Sequence, residues 1–305
     1  MSLRKALPSP VALFMFEASA RHLSFTRAGA EFNVTQSAVS RMIKRLEVHL
    51  GTELFRRTPT GLELTADGGE LFKSVSIGFR SIEAGLDELR SRQGSTRRVT
   101  ISLSSAFAMH WFVPRVDKFQ QTFPEIDLRF QLVKGEPVGP FEDVDLAVRY
   151  NHPANADHHS WKLADEIIVP VGSSGYVASH GSLDDTPAGH VLANQMNQSR
   201  VPWSIFFERT GAVEPEKARF MTFSDYALVV QAALKGRALA LGWLHVVGDE
   251  ILEGGLVRAA ANELRTGFSY DIVAATSRPL RNSSVAVKDW IVAEMQNMTA
   301  ELGVT

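Results

Sequence analysis

The sequence contains no cysteine, which removes disulfides, thiolate nucleophiles and cysteine-ligated zinc and is compatible with a reducing cytoplasm. No apolar run approaches the roughly 18 residues needed to span a bilayer, so no membrane association is expected. Catalytic signatures are missing as well. Gly172-Ser173-Ser174-Gly175 lacks the spacing of a nucleophile elbow, and no glycine-rich phosphate loop ending in Lys-Ser/Thr occurs. Asp157-His158-His159 sits in a polar segment without a further ligand at motif spacing, so no metal is expected. No fixed-period repeat or low-complexity tract is present. The expectation is a protein that is not an enzyme and needs no cofactor.

What is present fits a soluble protein with more than one core. The 305 residues are 45% hydrophobic and 22% charged, suiting a small domain followed by one of about two hundred residues. Arg4 and Lys5 before an apolar stretch, with Ala18-Ser19-Ala20 after it, resemble an export signal. Pro8, Pro10 and Glu17 interrupt that pattern, and the segment reads better as a helix with Leu13, Phe16 and Ala20 on one face.

The net charge of −2 hides an asymmetry: residues 1–95 hold thirteen Lys/Arg against ten Asp/Glu, the remainder nineteen against twenty-four. Arg41, Lys44, Arg45, Arg56 and Arg57 cluster in the basic part, a footprint suited to nucleic acid. Around them Ser24 is placed to cap a short helix ending near Phe32, with Leu23 as a hydrophobic staple. Asn33 and Val34 form a turn, and Thr35 caps a second helix in which Val39, Ile43, Leu46 and Leu50 repeat at helical spacing before Gly51 stops it. The opposite face carries Ser37, Ser40, Arg41 and Lys44, with Gln36 in the first turn. Short polar side chains there can read base edges and cations can hold phosphates. Residues 53–65 read as two short strands around a Pro/Gly turn, a wing carrying Arg56 and Arg57.

The ordered residues Leu23-Ser24-Phe25-Thr26-Arg27-Ala28, Asn33 through Arg41, Ile43-Lys44-Arg45-Leu46-Glu47, Leu50-Gly51, Leu54 through Thr58 and Leu64-Thr65-Ala66-Asp67-Gly68 resemble the N-terminal signature of LysR-type transcription regulators. Gly29 stands for a customary alanine and Met42 for a customary glutamine. The first is expected to weaken the short helix by up to about 1 kcal/mol, the second to remove a polar contact near DNA. The expected DNA-facing set is Ser24, Thr26, Thr35, Gln36, Ser37, Ser40, Arg41, Lys44, Arg56 and Arg57, within a winged helix-turn-helix over 1–65.

Phe72, Val75, Phe79, Ile82, Leu86 and Leu89 form a heptad-like seam on a helix over 66–92. The resemblance assigns it to dimerisation and implies a homodimer or homotetramer on double-stranded DNA, with RNA polymerase as a further partner. Residues 93–98 read as a hinge.

From Val99 the pattern changes to short strands at 99–103, 126–133, 144–149, 167–171, 238–241 and 270–275, several of them separated by helices. The resemblance implies a periplasmic-binding-protein-like α/β effector domain over 99–305, with subdomain I at about 99–164 and 266–305, subdomain II at about 165–265, and a small-molecule effector between them. Strand ends suggest Ser104, Ser105, Phe107, Arg149 and Tyr150 as cleft residues. Arg149 can pair with an anionic group. The aromatic second subdomain adds Trp203, Phe206, Tyr226 and Trp243, together with Ser224, as a set able to cage a quaternary ammonium. Gly242 through His245 and Leu256-Val257-Arg258 resemble the glycine-cleavage-activator group and its choline sulfate branch, which gives choline, choline sulfate or betaine as effectors. A solute-binding protein without DNA-dependent function is the different-class reading, and residues 1–65 argue against it.

Overall fold

The computed structural model describes residues 9–58, 61–91, 97–133, 141, 144–185, 189–196, 200–277 and 280–304, without the side chains at 57, 80, 83, 84 and 87–91. The chain divides into two compact units between Leu89 and Arg90.

In the first unit, Ser9 caps α1 (Pro10–His22) by accepting the Val11 amide, and proline occupies the first turn, where its missing N–H costs nothing. Leu23 ends α1 at φ 46° and is exposed, so the expected staple does not form. Ser24 caps α2 (Phe25–Glu31) and Thr35 caps α3 (Gln36–Leu50), which Gly51 terminates in the left-handed region at φ 74°. Val39, Ile43 and Leu46 of α3 are buried with Phe16 and Ala28, each fully buried aliphatic side chain contributing about 1.5–3 kcal/mol.

Gly29 has a role that helix propensity does not reveal. A Cβ there would lie 2.6 Å from the Val34 carbonyl oxygen, so the close turn between α2 and α3 excludes alanine. Met42, which offers no polar contact, packs half-buried against the core.

Strands β1 (Phe55–Thr58) and β2 (Gly61–Leu64) pair antiparallel as the wing; residues 59–60 of its turn lie outside the described set. Helix α4 (Ala66–Ser91) follows. Its apolar seam is divided: Val75 is buried and Phe72 and Phe79 pack on the first unit's own core, Phe79 stacking on Phe14 at 4.4 Å. Ile82 and Leu86 are exposed, and the Leu89 side chain is outside the described residues.

Of the expected hinge, residues 93–96 lie outside the described set, whereas Arg97 and Arg98 already belong to β3 (Arg97–Ser104). The second unit is a mixed sheet. Strand β3 lies parallel to β4 (Ile126–Val133) and β5 (Leu146–Tyr150). Between β3 and β4 run α5 (Ser105–Phe107), a π-helical turn (Ala108–Phe112), a 3-10 turn (Val113–Arg115) and α6 (Val116–Thr122). Two long strands, β6 (His158–Gly172) and β11 (Leu264–Ala275), pair antiparallel, and β11 continues onto β5. Both cross the expected subdomain borders at 165 and 265, so the chain passes between subdomains on continuous strands.

Strands β9 (Ala240–Trp243) and β10 (Val257–Arg258) extend β6. Strands β7 (Val191–Gln195) and β8 (Arg219–Phe223) form a small parallel pair. Helices α7 (Ser174–His180), α8 (Trp203–Thr210), α9 (Tyr226–Leu234), α10 (Leu244–Leu252) and α11 (Asn282–Glu301) complete the unit. Strand interiors such as Val99, Ile101, Leu146, Ile168, Val169 and Ile272 form its core.

Candidate functional site

Two surfaces stand out, one in each unit. On α3, Gln36, Ser37, Arg41, Lys44 and Arg45 are exposed and Ser40 is half-buried, while Val39, Ile43 and Leu46 face inward. The stripe follows from the 3.6-residue period, because residues three and four apart share a face. The capping hydroxyl of Thr35 accepts the Ala38 amide and lies 3.0 Å from the Ser37 hydroxyl. Thr26 is exposed, whereas Ser24 is half-buried and occupied as a cap.

On the wing, Arg56 is exposed but not idle: its Nη2 lies 2.9 Å from Glu63 Oε2, across the register pair of the two strands. The Arg57 side chain lies outside the described residues. Lys44 is 3.7 Å from Glu47.

In the second unit, Ser104 caps α5 by accepting the Phe107 amide at 3.2 Å, and Ser105 donates to Asp225 at 2.6 Å. Asp225 in turn caps α9 through the Ala227 amide. Ser105 thus links the strand-end side of subdomain I to a helix start in subdomain II. Ser224, next to that cap, is exposed.

A second link runs from Tyr150, at the end of β5, to Arg200, whose guanidinium carbon stands 3.2 Å from the ring centroid. Arg200 also pairs with Glu166, on β6, and donates to the Tyr270 hydroxyl at 3.1 Å. Glu166 is fully buried and accepts the Trp243 indole N–H at 2.8 Å and the Thr266 hydroxyl at 2.7 Å. A break in register brings Thr266 there: Arg265 pairs with Ile167 and Ser269 with Asp165, so Glu166 faces a bulge of three residues. Gly267 provides the positive φ of 82° that the bulge requires.

Beside this network the His245 ring lies against Tyr270 with centroids 3.8 Å apart and the planes tilted by 34°. Burial, reinforced by the Arg200 charge, drives its pKa down to about 3, so the imidazole is neutral. Burial likewise raises the Tyr270 and Tyr226 hydroxyls above the ordinary phenol range. The Tyr226 hydroxyl is held between the Leu241 carbonyl and the Trp243 amide.

Other expected cleft residues have structural partners instead. Arg149 is completely buried, donating to the Val148 and Ser102 carbonyls and the Ser102 hydroxyl. A charge so enclosed is held by its own strands. Trp203 donates to the Ala193 carbonyl and packs with Phe206 and Phe207 inside the second subdomain, which removes Trp203 and Phe206 from a ligand cage. Phe107 is buried and stacks on Trp111 at 4.8 Å. Among the described residues no group of three or more acidic or histidine side chains is arranged to hold a metal, and no helix is long and apolar enough to cross a membrane.

Comparison with known proteins decides the family. Residues 11–69 match the model for "Bacterial regulatory helix-turn-helix protein, lysR family", and residues 92–296 match the "LysR substrate binding domain". The chain belongs to the LysR family. It is 34% identical to the glycine cleavage system transcriptional activator of Escherichia coli over 96% of this chain and 95% of the relative. It is 32% identical to the transcriptional activator AmpR of Providencia stuartii, covering 93% and 96%. The crystal structure of ArgP from Mycobacterium tuberculosis has the same fold with a TM-score of 0.62 at 17% identity, covering 93% of this chain and 96% of that one.

As a LysR-family regulator, the chain combines a helix-turn-helix with an effector-binding domain, as the signature of residues 23–68 implied. Sequence reasoning passed over Glu166, Arg200, Asp225, His245 and Tyr270. The one available signal was Glu166 itself, a carboxylate followed by Ile167, Ile168 and Val169 in a strand that must be buried.

Proposed function

We propose that this LysR-family chain is a sequence-specific DNA-binding regulator, without catalytic activity, whose DNA affinity or geometry responds to a small molecule bound between the two effector subdomains. The observation that carries the reading is the exposed stripe of Gln36, Ser37, Arg41 and Lys44 on a helix whose opposite face is buried. Gln36 can pair bidentately with adenine, Arg41 with guanine or a phosphate, and Lys44 with phosphate. Arg56 and Arg57 of the wing add backbone or minor-groove contacts.

The effector site lies around Ser105, Tyr150, Asp225 and Trp243, where links from both subdomains meet. A change in subdomain angle on binding would shift the populations of dimer or tetramer arrangements and so alter DNA bending and access for RNA polymerase. Val11, Phe14, Ile82 and Leu86, exposed apolar residues of α1 and α4, supply a surface for the homodimer, which suits a two-fold symmetric operator. The cytoplasm, where the DNA is, is the proposed location. A quaternary ammonium effector (choline, choline sulfate or betaine) is a second reading and rests on the rings of Tyr226, Trp243 and the neighbouring Tyr150 and Tyr270, since Trp203 and Phe206 belong to the core.

A gel-shift titration against the chain's own promoter region tests the regulator reading. A regulator retards that fragment with a steep salt dependence; a solute-binding protein leaves it unretarded at every salt concentration.

A further inference from the structure

The surroundings of Arg200 have the composition of a receptor for a planar cation. Glu166 supplies a fully buried carboxylate, and Tyr150 and Tyr270 present ring faces 3.2 and 5.6 Å from the guanidinium carbon. Ring faces attract cations, most strongly when water is excluded. Trp243 and Thr266 donate to one carboxylate oxygen of Glu166 each, so the carboxylate is hydrogen-bonded whether or not Arg200 is present.

Arg200 fills this receptor imperfectly. It enters from the segment between β7 and α8, and its Nε is buried without a partner among the described residues. The neighbouring His245 Nδ1 is also buried and unpartnered among them. A buried donor or acceptor left unmet is unfavourable, so an occupant that bonds His245 Nδ1 while the Arg200 Nε is released to water would be favoured over Arg200. An anionic effector is disfavoured here, because Glu166 already neutralises Arg200 and would repel it.

We propose that Arg200 is an internal stand-in for the effector, and that the effector is a small organic cation with a guanidinium or amidinium head that displaces Arg200 from between Tyr150, Tyr270 and Glu166. This rests on the reading of the chain as an effector-controlled regulator and gives the effector's chemical class. Displacement would release the link from Arg200 to Tyr150 and so couple occupancy to the separation of the subdomains.

The test is calorimetric titration of the full-length chain with agmatine, choline and succinate, using wild type, Arg200→Ala and Glu166→Gln. Agmatine is expected to bind wild type, to bind Arg200→Ala about tenfold or more tightly because the internal competitor is gone, and to give no heat with Glu166→Gln. Arg200→Met, which keeps an unbranched stem but no donor to Glu166, provides the same comparison if Arg200→Ala does not fold. No agmatine heat with wild type or either Arg200 variant overturns the proposal. So does succinate binding that disappears with Arg200, which would make Arg200 an anion receptor, and so does choline binding that ignores Glu166→Gln. Gel shifts on the same wild-type sample separate the two readings: retarded promoter DNA without agmatine heat removes the cation proposal alone, and unretarded DNA removes the regulator.

Discussion

Glu47, near the end of the recognition helix α3, accepts the backbone amide of Leu54 at 2.9 Å where the chain turns into the wing. The same oxygen accepts the Phe55 amide at 3.3 Å. Helix and wing are therefore set relative to each other by a carboxylate that is 8% exposed, and under the proposed reading it also sets the spacing of their DNA contacts. Replacing Glu47 with alanine leaves buried amides unpaired, a loss of about 1–3 kcal/mol. Urea unfolding of the first unit should show that loss, and Glu47→Gln, which keeps an acceptor, should show clearly less.

The wing ion pair makes a different kind of prediction. Arg56 and Glu63 are exposed, and such pairs contribute little to folding, typically about 0.2–1 kcal/mol. If Arg56 holds a phosphate as proposed, Glu63 competes with that phosphate for the guanidinium. Arg56→Ala should weaken DNA binding and lower the salt slope by about one, while Glu63→Gln should strengthen binding. Both should unfold near the wild-type temperature. Anisotropy titrations across a salt series measure both effects, and weaker binding by Glu63→Gln would refute the competition.

Gly29→Ala sets two effects against each other. Helix propensity favours alanine by about 1 kcal/mol, but the added methyl would sit 2.6 Å from the Val34 carbonyl oxygen. Overpacking against backbone costs roughly 1–3 kcal/mol, so steric conflict wins and the first unit's melting temperature should fall. An increase would show that the turn relaxes freely.

Gly29 also shows where the sequence ceased to be legible. Caps and periodicity are local, so Ser24, Thr35, Gly51 and the inward face of α3 could be read directly, as could α4 and most strands of the large sheet. Close approach of the α2–α3 turn is not local, and propensity alone misjudged the glycine. The same limit hid the buried network of the second unit: Glu166 and Arg200 are 34 residues apart, and only the fold brings Tyr150 and Tyr270 around them. Aromatic richness near residue 203 was visible, but which rings face inward depends on helix α8 packing over Ala193. Strands β7 and β8 escaped notice because neither alternates cleanly; β8 is exposed along most of its length.

His245 gives the effector domain an acid sensitivity of defined sign. Its folded pKa of about 3 lies below the unfolded value near 6.5, so the unfolded chain binds one more proton between those limits. Stability contributed by the neutral ring is complete above about pH 6.5 and falls as pH drops towards 3, by up to about 1.4 kcal/mol per pH unit. Denaturant unfolding from pH 7 to 4 should show a shallower decline in His245→Phe than in wild type. Equal slopes would mean the ring titrates as in solvent.

The most direct measurement of the central claim is the affinity of wild type, Gln36→Ala and Arg41→Ala for a promoter duplex and a scrambled duplex at several salt concentrations, with unfolding monitored in parallel. If the polar stripe of α3 reads DNA, Arg41→Ala weakens binding at least about tenfold, Gln36→Ala reduces the preference for the promoter by about 1–3 kcal/mol, and both proteins remain as stable as wild type. Wild-type affinity and preference in both variants would contradict the account.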